Sequence, residues 1–134
     1  MRHALNRASR LLAEPRCQRV LVEFSDIHGC RLADKLTTLG VDIQEYLRLV
    51  IFHDGSQRGQ CGEALAYTTA GSRIVFVCVG SVLRSWRVNP DYLVHSLVHE
   101  ILHTLGLGEN PPASQEITHR VRTLCAGERE IPGH

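Results

Sequence analysis

The run from Asn89 to Gly106 constrains this chain more than any other, because its ends and its middle agree on one structure. Asn89-Pro90-Asp91 supplies a capping side chain, a proline whose fixed φ suits a first helical turn, and an acid near the positive end of a helix. Leu93, Val94, Leu97, Val98, Ile101, Leu102 and Leu105 then recur at helical spacing. Gly106 and Gly108 follow, and either can take the left-handed conformation that ends a helix and reverses the chain. The run predicts a helix of about 16 residues.

His99, Glu100 and His103 stand on that helix. Positions four apart share a face, so both imidazoles can converge on one ion while Glu100 leans toward the adjacent open coordination position. Zinc held this way activates water, and a neighbouring carboxylate can take the proton. After the reversal at the glycines, Glu109 lies six residues past His103. From there it can fold back beneath the ion, giving two neutral imidazoles and one carboxylate with water as the fourth partner.

The ordered string HExxHxxGxxE resembles the zincin metallopeptidases. The spacing of its last three elements is similar to that of the metzincin branch, which has a His or Asp where this chain has Glu109. The methionine turn of that branch has no counterpart, since the only methionine is Met1. The motif covers 11 of 134 residues, and the order of predicted elements extends the likeness to most of the chain.

The resemblance implies a zinc-dependent peptidase that takes a peptide or protein substrate. Its Zn2+ ligands would be His99, His103 and Glu109, and Glu100 would be the general base. Some zincins take a glutamate from the next helix, so Glu116 competes with Glu109, while His119 and His53 stand further off. His95, one turn before His99, reads as a partly buried helix histidine, with a contact to substrate as the alternative. His119 is also a candidate for oxyanion stabilisation. Tyr67, Tyr92 and Trp86 read as core or rim aromatics. His53-Asp54 reads as a turn rather than part of a dyad, because no serine or cysteine stands in a nucleophile setting beside it. The alternative function is a non-catalytic zinc-binding or peptide-binding module; Glu100 argues against it, since a structural zinc site needs no acid there.

Composition sets the limits around this reading. The length suits one domain over residues 1–134, and 43% apolar with 22% charged residues is the balance of an ordinary globular chain. A formal net charge of +1 gives no electrostatic case for nucleic acid or a membrane surface, although Lys35 is the only lysine among 15 basic residues. Arg2, Arg7, Arg10, Arg16 and Arg19 gather near the start, where Leu5, Ala8, Leu11 and Leu12 could line one side of a helix. Residues 1–18 are read as a solvated N-terminal helix or tail. No apolar run reaches membrane-spanning length, and the start lacks the apolar core of a secretory signal. The chain as it stands therefore reads as cytoplasmic, with export from an upstream start left open. Five cysteines, at 17, 30, 61, 78 and 125, are read as free and mostly buried, with Cys61 and Cys78 the first pair to test for a disulfide. No CxxC signals a separate cysteine-held zinc. Nothing in the chain bears on its oligomeric state.

The remaining pattern places the motif in an α+β, zincin-like domain. Its mixed sheet has about four strands, with an active-site helix and a C-terminal helix. Val20 to Phe24 reads as a buried strand, and Arg31 to Leu39 as a helix stopped by Gly40 with Leu32, Leu36 and Leu39 inward. Asp42 caps a short turn through Tyr46, and Leu47 to Phe52 reads as a second strand. Residues 55–62 read as a loop. Ala64 to Thr69 and Arg73 to Val79 form a hairpin about Ala70-Gly71-Ser72, and a connection leads to Asn89. Ser114 caps a last helix with Ile117, Val121, Leu124 and Cys125 on one side, and residues 127–134 read as a loose tail. In zincins an edge strand before the motif helix pairs with an extended substrate, and by that likeness Ala64 to Thr69 is the candidate edge.

Overall fold

A computed structural model describes residues 1–57, 59–62 and 64–125; the expected tail at 127–134 lies outside them. The architecture is α+β, with seven helices and a three-stranded mixed sheet among the described residues.

Two helices open the chain, α1 (Arg2–Ala13) and α2 (Pro15–Glu23). In α1, Ala4, Ala8 and Leu12 are buried at a spacing of four, so the segment is a packed helix rather than a solvated one. Its Arg7 pairs with Asp91 at 2.5 Å. The expected strand at Val20 to Phe24 is instead the end of α2. Pro15 starts that helix, and Cys17, Val20 and Leu21 bury at helical spacing. A strand would turn Val20, Val22 and Phe24 to one face, yet Val22 is 48% exposed between two buried neighbours. That replacement leaves three strands where about four were anticipated.

Helix α3 (Leu32–Leu39) ends at Gly40, whose φ of 73° is the left-handed cap anticipated there, although Leu39 faces solvent. Helix α4 (Ile43–Leu47) carries a full capping box between Asp42 and Glu45. Strand β1 (Ile51–Asp54) begins four residues later than read, because Leu47 still belongs to α4. Strands β2 (Ala66–Tyr67) and β3 (Ile74–Val77) form the hairpin; β3 is central, parallel to β1 and antiparallel to β2. Val75 and Val77 point into the core while Ile74 and Phe76 are half-buried on the other face.

The connection to Asn89 contains a helix, α5 (Val79–Val88), which the sequence reading missed. Gly80 sits inside its first turn instead of breaking the chain, and only Val82 is buried, so the apolar stripe is weak. Helix α6 (Pro90–Thr104) is the motif helix, with the Asn89 side chain accepting from the Tyr92 N–H and Pro90 in its first turn. It packs against α1, α5, β2 and β3, and α7 (Ser114–Cys125) lies along it with Ile117, Val121, Leu124 and Cys125 inward. Two disulfides, Cys17–Cys125 and Cys61–Cys78, replace the free thiols expected at those positions; Cys30 alone is unpaired. The first joins α2 to α7, elements that sequence spacing could not pair. No helix among the described residues is long and apolar enough to cross a membrane.

Candidate metal centre

One turn of α6 sets the geometry. His99 and His103 are both buried, and their Nε2 atoms face each other at 3.1 Å. The helix ends at Thr104 with Leu105 as its cap, and Gly106 turns the chain back with a φ of 113°. A side chain at residue 106 would meet Asp26 Cβ at 3.1 Å, so both conformation and space call for glycine there. The reversal brings Glu109 Oε1 to 3.1 Å from His103 Nε2. One ligand atom from each of His99, His103 and Glu109 lies within 4.8 Å of the others. Tetrahedral zinc with bonds of about 2.0–2.2 Å would set its ligand atoms roughly 3.3–3.6 Å apart, so the two contacts at 3.1 Å need only a slight opening.

The outer ring nitrogens are engaged as well. His103 Nδ1 donates to the Leu107 carbonyl at 2.8 Å, since a carbonyl only accepts, and Nε2 faces inward toward His99 and Glu109. His99 Nδ1 lies 3.1 Å from Thr118 Oγ1 on α7. Burial, reinforced by the neighbouring His103, lowers the His99 pKa to about 4, so the ring is neutral at physiological pH, as a metal ligand must be. Burial pushes the Glu100 carboxyl up to about 8, and the Glu109 charge adds to the rise. A divalent cation in the same place acts in the opposite direction.

A second segment supports the turn. Asp26 forms a β-bridge with Leu107, the residue whose carbonyl holds His103. The Asp26 carboxylate accepts from the backbone N–H of His28 and of Cys30 and pairs with Lys35 at 3.0 Å. The N–H of Cys30, then the Lys35 ammonium, hold its pKa below the ordinary value against the opposing effect of burial. The hairpin touches the motif too, where the Gly71 N–H donates to the His103 carbonyl at 2.9 Å.

The other sequence candidates lie apart from this group. Glu116, in the first turn of α7, and His119 are exposed and stand outside it. His53 packs beside Phe76 on the sheet, and Asp54 accepts from the Ser56 N–H in a turn. His95 is half-buried and lines a cavity with Arg7, Arg10 and Cys125. The Tyr67 hydroxyl donates to the Gly55 carbonyl, Trp86 stacks near His3, and Tyr92 is exposed. Sequence reasoning missed Thr118 and Asp26. Neither left a trace: Thr118 stands among other polar residues beside Ile117 and Val121, and the bridge from Asp26 to Leu107 is made by the backbone.

Comparison with protein-family models, with curated proteins and with solved structures finds no match to this chain.

Proposed function

We propose that this chain is a zinc-dependent metallopeptidase. One observation carries the reading: one ligand atom from each of His99, His103 and Glu109 lies within 4.8 Å of the others, and Glu100 neighbours both His99 and the Glu109 charge. The donor set, two imidazoles and a carboxylate, is that of catalytic zinc sites, which keep a fourth position for water or substrate. Zinc bound there supplies a Lewis acid that acidifies water and polarises a carbonyl.

This chain's residues do the rest. Glu100 would accept the proton of the attacking water and pass it to the departing amine, the part of a positioned general acid–base beside the metal. The substrate lies along β2, at the edge of the sheet, as an added strand. Two disulfides favour an oxidising compartment over the cytoplasm.

The test combines metal analysis with Glu100→Gln. The parent should carry about one zinc per chain and cut members of a fluorogenic peptide library. The variant should keep its zinc and lose turnover by about 10²- to 10⁴-fold. A parent that holds zinc but cuts nothing, with Glu100→Gln changing neither property, identifies a zinc-binding or peptide-binding module instead.

A further inference from the structure

We propose that the outer face of α5, with the start of α1 beside it, docks onto an anionic lipid surface. A net charge of +1 conceals this face, because the charges are unevenly spread along the chain.

Helices α1 and α5 carry arginine at positions 2, 7, 10, 84 and 87, and neither contains an aspartate or glutamate. The His3 ring stacks on Trp86 at 6.3 Å and the Arg7 guanidinium lies 5.9 Å from the same ring, so the two helices stand side by side. Arg7 is answered by Asp91, and Arg10 shares a cavity wall with Glu14. Arg2, Arg84 and Arg87 are exposed and stand in no ion pair among the described residues.

The apolar residues of α5 point mostly outward. Val82 is its only buried residue, whereas Val79, Leu83 and Val88 are 40%, 54% and 84% exposed. Leu83 and Arg87 are neighbours four apart on the helix, and so are Arg84 and Val88, so apolar and cationic side chains interleave on one outward face. Leu83 also borders a mostly apolar cavity of about 210 Å³, with Met1 and Val79 on its walls. Asp54 is the one acid lining that cavity, and its carboxylate accepts from the Ser56 N–H.

Exposed apolar side chains among unpaired arginines fit one kind of partner. A nucleic acid would draw on the arginines through its phosphates and leave Leu83 and Val88 in water. An anionic bilayer answers both sets of side chains. Its phosphates pair with the guanidinium groups, while the aliphatic side chains enter the boundary between headgroups and acyl chains. The apolar stems of the arginines lie along that boundary with their charged ends at the headgroups.

The test is flotation of the whole chain with lipid vesicles. At low salt the parent should bind vesicles made of equal parts of phosphatidylglycerol and phosphatidylcholine and leave vesicles of phosphatidylcholine alone, and binding should fall as salt is raised. Arg84→Gln/Arg87→Gln should weaken binding about 30-fold, roughly fivefold for each charge near the surface. Arg122→Gln, which removes an exposed charge from α7, should stay within about twofold of the parent, since charges far from the lipid are screened. Leu83→Ser should weaken binding about 3- to 10-fold, the part of a leucine's burial that its exposed half can supply, and leave binding to heparin unchanged. A parent that ignores anionic vesicles at low salt overturns the proposal. So does a Leu83→Ser chain that binds vesicles like the parent while the double arginine variant loses vesicles and heparin alike, which would make the face a site for soluble polyanions. An equal loss in Arg122→Gln overturns it too, by showing that the lipid responds to net charge rather than to this face.

Discussion

At the scale of single residues, the third ligand decides whether the histidine pair is a metal site. Glu109 is 52% exposed on its side chain and pairs with His103 at the turn, so it does little for the fold. Replacing it with alanine should leave the melting temperature of the metal-free protein nearly unchanged. Zinc affinity should fall further than the 10- to 100-fold expected for an outer partner, because a directly bound oxygen is lost. Glu116→Ala, which removes an exposed acid outside the group, should leave the affinity within about twofold of the parent, as surface charges contribute little. Chelator competition on the two variants distinguishes them, and the reverse order would transfer the ligand role to Glu116.

Among elements, those with strong local signals were legible in the sequence. Helix α6 has a cap, a first-turn proline, a long apolar stripe and a glycine stop within one run; α3 has the glycine stop, α4 the capping box and α7 the apolar stripe. Helices α2 and α5 were not legible, for opposite reasons. Val20 to Phe24 is apolar enough to satisfy a strand pattern, and only the burial of Cys17 and the exposure of Val22 reveal the helical period. Helix α5 has too few buried residues to show any period. At the site, His99, Glu100 and His103 were legible because one helical turn joins them. The loop at residues 25–31 was not, since it reaches the turn after α6 from about 80 positions away through a backbone bridge that no side-chain pattern encodes.

That loop has a testable dependence on pH. Hydrogen bonds and Lys35 favour the charged form of Asp26, so its folded pKa lies below the ordinary 3.8. The unfolded chain then binds the proton more readily, and the stabilisation is present above the unfolded value and lost as pH falls through the folded one. In urea melts across pH, the advantage of the parent over Asp26→Asn should be flat at neutral pH and shrink as the pH drops below 3.8. A gap that persists undiminished to the lowest pH would show that charge is not what Asp26 contributes.

Across the whole molecule, the two disulfides differ in how much of the chain they close. Cys17–Cys125 spans 108 residues and ties α2 to α7, the helix that brings Thr118 to His99; Arg120 and Glu23, 2.6 Å apart, join the same two helices. Cys61–Cys78 spans 17 residues and fastens the loop after β1 to the end of β3. A crosslink removes more freedom from the unfolded chain when its loop is longer, about 5 kcal/mol for the first against about 3 kcal/mol for the second. Domains of this kind have about 5–15 kcal/mol in all, so the longer bridge accounts for a large share. The double variant Cys17→Ala/Cys125→Ala should therefore lose more unfolding free energy in urea than Cys61→Ala/Cys78→Ala. The burial of Cys17 and Cys125 in the core adds a packing loss in the same direction. Equal losses, or the reverse order, would mean that the packing of α2 against α7 holds these helices in place without the covalent bond.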